Sequence, residues 1–219
     1  MLISRAAKIL FVGDSLTEAG RSESGEATPW DLGRAYGHGY VAHFQALVEA
    51  TMPGHCIRVV NCGVSGNTMV DLKARWDRDV LAQNPNWLSV MIGINDVWRQ
   101  FDCPLQTELH VPLPAFVAIY AEQLSLIRPR LDGLILATPF VLEKDSSDPF
   151  RKMMDAYGDA VRLLAGRFNA VFIDTQQICD ELMAELHPTA LAWDRIHLNA
   201  TGHMALARGF LKALGYEWR

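Results

Sequence analysis

The chain has 219 residues, of which 50% are hydrophobic and 21% charged, as in an ordinary globular protein. Its formal net charge of -5 argues against a nucleic-acid partner, because binding to a phosphate backbone needs clustered Lys and Arg. The length predicts a single domain over residues 1–219 with a sizeable core.

The distribution of apolar residues gives no sign of export or of a membrane partner. No apolar run approaches the length that spans a bilayer, and Met1–Phe11 is too short for a signal peptide and lacks a cleavage site. No two of the 4 cysteines form a Cys-x-x-Cys pair, so we expect free, reduced thiols. These features favour a cytoplasmic protein.

Short apolar runs alternate along the chain with longer amphipathic segments. The apolar runs, typical of strands covered on both faces, are 8–12, 57–60, 88–92, 134–137 and 170–173. Helical periodicity occurs at about 40–51, 69–83, 114–129, 150–168 and 201–214. Gly54 and Gly133 follow two of these helices and are expected to be left-handed caps. The alternation predicts an α/β fold, a three-layer α/β/α sandwich around a five-stranded parallel sheet.

Several polar residues and glycines follow the predicted strands or precede the last helix. In parallel α/β sheets, the loops that leave the carboxyl ends of the strands form the ligand site. Residues 98–113 are interpreted as one such loop. We therefore expect five residues to meet at one edge of the sheet: Ser15, Gly63, Asn95, Asp194 and His197.

Ser15 is the candidate nucleophile. It lies in the turn Gly13–Leu16 directly after the first strand, which places its hydroxyl at a helix N-terminus, where a backbone N–H can bind an oxyanion. The alternative is that Asp14 and Ser15 only cap this helix, and for Asp14 we expect no other role. Ser65 lies in a turn that fails the Gly-x-Ser-x-Gly pattern at its fifth position, so we expect an ordinary loop hydroxyl.

Asp194 and His197 form the candidate acid–base pair. At a separation of three, side chains in a helix-like turn lie on the same side. The carboxylate could then accept from one imidazole nitrogen while the other nitrogen faces Ser15. A lone histidine is more often structural, but the carboxylate beside His197 favours the catalytic interpretation.

Gly63 and Asn95 are candidate donors to a developing oxyanion, together with the Ser15 N–H. Gly63 would offer a backbone N–H with no side chain in the way of substrate, although such a glycine can equally do no more than end a strand. Asn95 follows a buried apolar run, which places its amide at the edge of the sheet; a role in a turn is the competing explanation.

Trp98 and Trp193 flank these candidates closely. Most loop aromatics pin a loop to the core, yet flat apolar faces also suit stacking on a sugar ring. Neither a metal nor a nucleotide cofactor is expected. The sequence has no His-Glu-x-x-His or clustered Cys and His, and the glycines at 33, 37 and 39 complete no dinucleotide fingerprint.

On these residues and their order, the chain resembles the SGNH hydrolase superfamily, also called GDSL esterases. The resemblance implies that Ser15 is the nucleophile, His197 the base and Asp194 the acid. It also implies an oxyanion hole of Ser15, Gly63 and Asn95. A narrower similarity to intracellular bacterial acetyl xylan esterases runs from Leu10 to Trp218, through four segments: Arg58–Asn67, Asp71–Trp76, Met91–Gln100 and Ala190–Arg195.

This narrower similarity implies an enzyme that removes acetyl groups from xylo-oligosaccharides and assembles as a homo-oligomer, in related enzymes a ring-shaped octamer. Tyr216 and Trp218 near the C-terminus could dock on the core or on a neighbouring copy. Two other functions stay open. One is a lipase, thioesterase or lysophospholipase on the same scaffold, and the other is a non-catalytic carbohydrate-binding protein.

Overall fold

The computed structural model describes residues 1–27 and 29–217. Its sheet contains β1 (Lys8–Gly13), β2 (Arg58–Gly63), β3 (Trp87–Met91), β4 (Gly133–Ala137) and β5 (Val171–Ile173). Every neighbouring pair is parallel, and the order across the sheet is β2-β1-β3-β4-β5. Each strand overlaps one of the predicted apolar runs, so the predicted five-stranded parallel sheet is confirmed.

Helices cover both faces of this sheet. They are α1 (Ser15–Glu18), α2 (Gly33–Tyr36), α3 (Tyr40–Thr51), α4 (Met69–Ala74), α5 (Ile94–Asp102), α6 (Leu113–Ile127), α7 (Pro149–Arg167), α8 (Thr175–Glu185) and α9 (Ala200–Ala213). From β1 the chain runs to β2 in one direction and from β2 to β5 in the other. Right-handed crossovers therefore place α3 on one face and α4, α6 and α7 on the opposite face. α8 and α9 return to the face of α3, where Phe11 of β1 contacts Phe44 and Phe210.

Among the described residues, the three helices α2, α5 and α8 were not predicted, and one predicted helix is interrupted. α5 occupies the start of the segment interpreted as a loop. The buried face of α8 contains Thr175 and Gln176 as well as Cys179 and Met183, so its sequence lacks a continuous apolar stripe. The helical pattern at 69–83 is divided, since α4 ends at Ala74 and a π-helical turn follows at Asp77–Leu81.

The two predicted glycine caps are wrong. Gly54 lies inside the 3-10 turn Pro53–His55, and Gly133 is the first residue of β4. Neither glycine has a positive φ. Gly133 is required for a different reason, because a Cβ at this position would lie 2.4 Å from indole carbons of Trp87 on β3.

Candidate active site

The carboxyl ends of three adjacent strands lie level at one edge of the sheet. Gly13 of β1 is in register with Gly63 of β2 and with Met91 of β3. The direction of the chain across the sheet reverses here, so this edge is the topological switch point at which open α/β sheets bind ligands. Ser15 begins α1 just after β1, and Asn95 lies in the first turn of α5 just after β3.

Asp14 caps the helix that carries Ser15, as predicted. Its Oδ1 accepts a hydrogen bond of 3.0 Å from the Leu16 N–H, and its side chain is buried. Burial raises the pKa of Asp14 to about 7. The backbone N–H of Ser15 donates to no other group among residues 1–27 and 29–217, so it is available to a ligand at the helix N-terminus.

Ser15, His197 and Asp194 form one chain of hydrogen bonds. The Oγ of Ser15 lies 2.8 Å from Nε2 of His197, and Nδ1 of the same ring lies 2.5 Å from Oδ2 of Asp194. Because Nδ1 faces a carboxylate, it carries the proton of the neutral ring, and Nε2 is left as an acceptor for the serine hydroxyl. This is the arrangement that converts a serine hydroxyl into a nucleophile.

The carboxylate of Asp194 is held by three N–H groups. Besides the imidazole, its Oδ1 accepts from the backbone N–H groups of Ile196 at 3.0 Å and His197 at 2.8 Å. Partial burial acts to raise the pKa of Asp194, but the hydrogen bonds from the His197 ring and from these amides hold it below its ordinary value. The carboxylate is thus ionised at neutral pH and can stabilise a protonated His197.

The predicted helix-like turn between Asp194 and His197 is wrong. Both residues lie in a loop closed by an antiparallel bridge between Ala192 and Leu198. Arg195 inside this loop has a φ of 70°, in the left-handed region. The two side chains meet because the Asp194 carboxylate accepts hydrogen bonds from the backbone N–H groups of Ile196 and His197. This local turn is characteristic of aspartate.

Asn95 presents a side-chain amide at this edge of the sheet. It is 3% exposed, and one of its Nδ2 hydrogens is donated to the backbone oxygen of Asn67 at 3.0 Å. The second hydrogen of the amide has no acceptor in the described part of the chain, so we expect it to be free for a ligand. The next residue, Asp96, is fully buried and accepts from the Met69 N–H at 2.9 Å, which joins the first turns of α4 and α5.

Gly63 ends β2, but α1 rather than substrate lies against it. A Cβ at this position would lie 2.2 Å from the backbone nitrogen of Glu18. The N–H of Gly63 donates to Oδ1 of Asn61 at 2.9 Å. The orientation of the Asn61 amide is set by its donation to the carbonyls of Thr17 and Tyr36. A ligand that used the Gly63 N–H would therefore share it with Asn61.

The two predicted indoles lie in different surroundings. The ring of Trp98 is 6.1 Å from the imidazole of His197, centroid to centroid. It lines a cavity of about 450 Å³, together with Phe101, Asp102, Asp148, Pro149, Phe150, Asp194 and Arg195. Trp193 is 85% exposed and does not line this cavity. Ser65 is a loop hydroxyl that donates to Glu18, as predicted.

A family model for GDSL-like lipases and acylhydrolases matches residues 11–205. The chain belongs to this GDSL-like lipase/acylhydrolase family. It is 48% identical to an acetylxylan esterase of Geobacillus stearothermophilus over 100% of this chain and 98% of that protein. Together these relationships identify the GDSL-like protein as a carboxylic ester hydrolase.

Solved structures of GDSL-like relatives superpose closely. The acetylxylan esterase Axe2 of G. stearothermophilus is 47% identical, with a TM-score of 0.94 over 100% of this chain and 98% of that chain. LAE5, described as an alpha/beta hydrolase from the metagenome of Lake Arreo in Spain, is 42% identical, with a TM-score of 0.95 over 99% and 98% of the two chains. Catalytic mutants of Axe2 replace a serine, a histidine and an aspartate by alanine.

Several residues of this GDSL hydrolase site were not singled out from the sequence. Asn61 and Asn67 fill hydrogen-bonding positions beside Gly63 and Asn95, and Glu143 binds the loop that carries His197. Asn61 and Asn67 both lie in the segment Arg58–Asn67, whose family resemblance was the available signal. For Glu143 no local pattern distinguishes it from an ordinary surface acid.

Two further observations concern membranes and metals. Among residues 1–27 and 29–217, no helix combines the length and the apolarity needed to cross a bilayer. Within the same residues, His, Cys, Asp and Glu side chains form no group of three or more suited to hold a metal ion.

Proposed function

We propose that this hydrolase removes acetyl groups from acetylated xylo-oligosaccharides through an acyl-enzyme on Ser15, and that residues 1–219 act as one domain. The observation that carries the proposal is the hydrogen-bond chain from Ser15 through His197 to Asp194. The choice of substrate is supported by the 48% identity to an acetylxylan esterase. The aspartate and histidine replaced in the catalytic mutants of Axe2 are three residues apart, as Asp194 and His197 are here.

In the first half-reaction Nε2 of His197 accepts the hydroxyl proton of Ser15 while Oγ attacks the acetyl carbonyl carbon. The carbonyl π electrons move to oxygen and form a tetrahedral oxyanion. When this intermediate collapses, the bond to the sugar oxygen breaks and the sugar leaves with the proton from His197. Water then attacks the acetyl-serine in the same way, which releases acetate and restores Ser15.

The oxyanion is stabilised by donors that converge on the end of β1. The Ser15 N–H and the second hydrogen of the Asn95 amide are available without rearrangement. The Gly63 N–H acts as a shared donor between Asn61 and the oxyanion. Donors that are already oriented cost no reorganisation when charge develops, which is why they lower the barrier. No metal or organic cofactor is needed, because these residues supply every proton transfer and the oxyanion contacts.

The sugar is placed in the cavity beside Asp194. The indole of Trp98 and the ring of Phe150 offer apolar faces, and Asp102, Asp148 and Arg195 offer groups for hydroxyls. This combination of one aromatic platform and several polar groups suits a carbohydrate better than an acyl chain. Trp193 lies next to the acid Asp194 and is proposed as an outer contact for a longer oligosaccharide.

The test is acetate release from acetylated xylo-oligosaccharides by wild type, Ser15→Ala and Ser65→Ala. Ser65 is a matched control because it is a nearby serine whose hydroxyl donates to the carboxylate of Glu18 and not to an imidazole. We expect wild type and Ser65→Ala to release acetate at similar rates and Ser15→Ala to release none. If wild type hydrolyses p-nitrophenyl acetate but not the sugar ester, the serine chemistry stands and the substrate is wrong. Rates that rise with acyl chain length would indicate a lipase or thioesterase.

We also propose that the protein is cytoplasmic and assembles as a homo-oligomer, with an octamer as the expected form. The support is the sequence resemblance described above, which implies an intracellular, oligomeric esterase. In the C-terminal segment Tyr216 packs against the core, while Trp218 lies outside the described residues. Light scattering tests the assembly, and a mass of 24.4 kDa in solution would contradict it. Fractionation of cells that produce the native protein tests the location.

A further inference from the structure

Arg75 is a buried arginine at the end of α4 that none of the proposed chemical steps uses. Its side chain is 8% exposed and makes four hydrogen bonds. Its Nε donates to Oδ1 of Asn67 at 2.6 Å, Nη1 to the backbone oxygen of Cys62 at 2.7 Å, and Nη2 to the backbone oxygen of Gly13 at 2.9 Å. Nη1 also contacts Asp79 at 3.0 Å, so the buried charge is paired.

The acceptors of Arg75 stand next to the candidate oxyanion donors. Gly13 is the last residue of β1 and leads into the turn of Ser15, and Cys62 immediately precedes Gly63. Asn67 accepts from Arg75 through its side chain and from the Asn95 amide through its backbone oxygen. One guanidinium therefore forms hydrogen bonds with residues that adjoin or bind each of the three candidate donors.

The chemistry of these contacts requires arginine. Three acceptors on separate segments are bound by the Nε, Nη1 and Nη2 of one planar group, so their relative positions are set by a rigid fork. A lysine could keep the charge but has one flexible ammonium and cannot hold the three acceptors in a plane. An ion pair with Asp79 would explain why residue 75 is positively charged. It would not explain why its guanidinium also binds the ends of two strands and the side chain of Asn67.

We propose that Arg75 is a positioning residue of the oxyanion site, which holds the ends of β1 and β2 and, through Asn67, the amide of Asn95. This rests on the proposed role of Asn95 in catalysis. Displacing a donor by about 1 Å weakens an interaction that is made chiefly in the transition state. Loss of Arg75 therefore lowers kcat much more than it changes KM.

The experiment is a double-mutant cycle between Arg75→Met and Asn95→Ala, with p-nitrophenyl acetate as substrate so that the sugar assignment plays no part. In the wild-type background Arg75→Met is expected to lower kcat by about 10- to 100-fold, with KM changed less than about threefold. In the Asn95→Ala background the same substitution is expected to lower kcat by a smaller factor, about two- to fivefold, because one of the three donors that Arg75 positions is gone while those at Ser15 and Gly63 remain. Arg75→Lys should not restore kcat.

Arg128→Met is the matched control. Arg128 also donates to two backbone carbonyls, those of Phe168 and Leu131, but near the opposite end of the sheet, just before β4. The Arg128→Met substitution should lower the thermal midpoint but change kcat by less than about twofold, both in wild type and in Asn95→Ala. If Arg75→Met lowers kcat by the same factor in the wild-type and Asn95→Ala backgrounds, the inference is overturned, while the proposed reaction stays intact.

A second variant covers the case in which Arg75→Met does not fold. Asn67→Ala removes only the contact with Nε, and Asn67→Asp keeps an acceptor for it. We expect Asn67→Asp to retain at least about fivefold more kcat than Asn67→Ala, and only when Asn95 is present. If the two variants are equal, the inference is wrong. If Asn95→Ala itself has full kcat, the proposed role of Asn95 fails and this inference fails with it.

Discussion

Asp194 holds His197 at two points. Its Oδ2 lies 2.5 Å from Nδ1 of the ring, and its Oδ1 accepts from the His197 backbone N–H at 2.8 Å. One carboxylate therefore sets both the tautomer of the imidazole and the backbone that carries it. This explains how a loop, with no regular helix or strand, can present an imidazole to Ser15 at hydrogen-bonding distance.

Replacing the Asp194 carboxylate by an amide should separate its electrostatic effect on the imidazole from its hydrogen bonds to the backbone. Asp194→Asn keeps an oxygen for the amides of Ile196 and His197 but removes the anion from Nδ1. We expect kcat near pH 7 to fall by about 10³- to 10⁴-fold, since the neutral amide neither fixes the tautomer nor stabilises the imidazolium. Steady-state kinetics between about pH 6 and pH 9 measure this. A pH–rate profile identical to that of wild type would contradict the assignment.

Asn95→Ala should be folded and slow. Loss of one oxyanion donor costs on the order of 10²- to 10³-fold in kcat, with little change in KM. The control is Asn86→Ala, because Asn86 is also a side-chain amide with hydrogen bonds to neighbouring segments, here the Lys8 N–H and the Asp132 carboxylate, but at the opposite end of the sheet. The control should lose thermal stability and keep kcat. Near-full kcat in Asn95→Ala would remove this residue from the oxyanion hole.

Trp98 should matter for sugar esters and not for a minimal ester. Trp98→Ala removes the platform beside His197 and is expected to raise KM for acetylated xylo-oligosaccharides about tenfold, as loss of one aromatic stacking contact would. KM for p-nitrophenyl acetate should change less than about twofold. Trp193→Ala is the comparison, and its more exposed ring should give a smaller effect that appears only with longer oligosaccharides. Equal effects on both esters would place Trp98 in the acyl pocket.

Stability should depend on pH through Asp96. Burial raises the pKa of Asp96 from 3.8 to about 7, so the folded protein holds this proton more tightly than the unfolded chain. The resulting stability, on the order of 4 kcal/mol, is complete below the unfolded pKa and is lost as the pH rises through about 7. Asp96→Asn can still accept from the Met69 N–H but has no proton to lose.

The thermal midpoint of Asp96→Asn, relative to wild type, should therefore be higher at about pH 8 than at about pH 5. Asn86→Ala supplies the control, because its difference from wild type involves no titrating side chain at the substituted position. The same gap between Asp96→Asn and wild type at both pH values would show that Asp96 does not titrate in this range.

Glu143 should support catalysis without touching substrate. It binds Arg195 at 2.6 Å, and the backbone N–H of the adjacent Leu142 donates to the Arg195 oxygen at 2.8 Å. These contacts hold the left-handed backbone of Arg195, in the loop between Asp194 and His197. Glu143→Ala is expected to lower kcat about three- to tenfold, and Glu143→Gln less, because glutamine keeps an acceptor. Equal kcat for wild type and Glu143→Ala would show that the loop between Asp194 and His197 keeps its conformation without Glu143.

The fold was predictable because its signals are local and repeated. Strands covered on both faces, such as 8–12 and 134–137, appear as unbroken apolar runs, and their alternation with helices predicts a parallel sheet. The predictions failed where tertiary contacts override local pattern. α8 places Thr175 and Gln176 on its buried face, where each has a hydrogen-bond partner in the segment that follows β4, so its sequence lacks the expected stripe.

The chemical groups of the site can be read from the order of residues along the chain: a serine after β1, an asparagine after β3, and, before the last helix, an aspartate three residues ahead of a histidine. The tertiary structure alone decided which of these groups are free to act. It assigns the Gly63 N–H to Asn61, packs α1 where Gly63 was expected to admit substrate, and aims Arg75 at two strand ends. Hydrogen-bond partners depend on distances between remote segments, and local periodicity does not encode those distances.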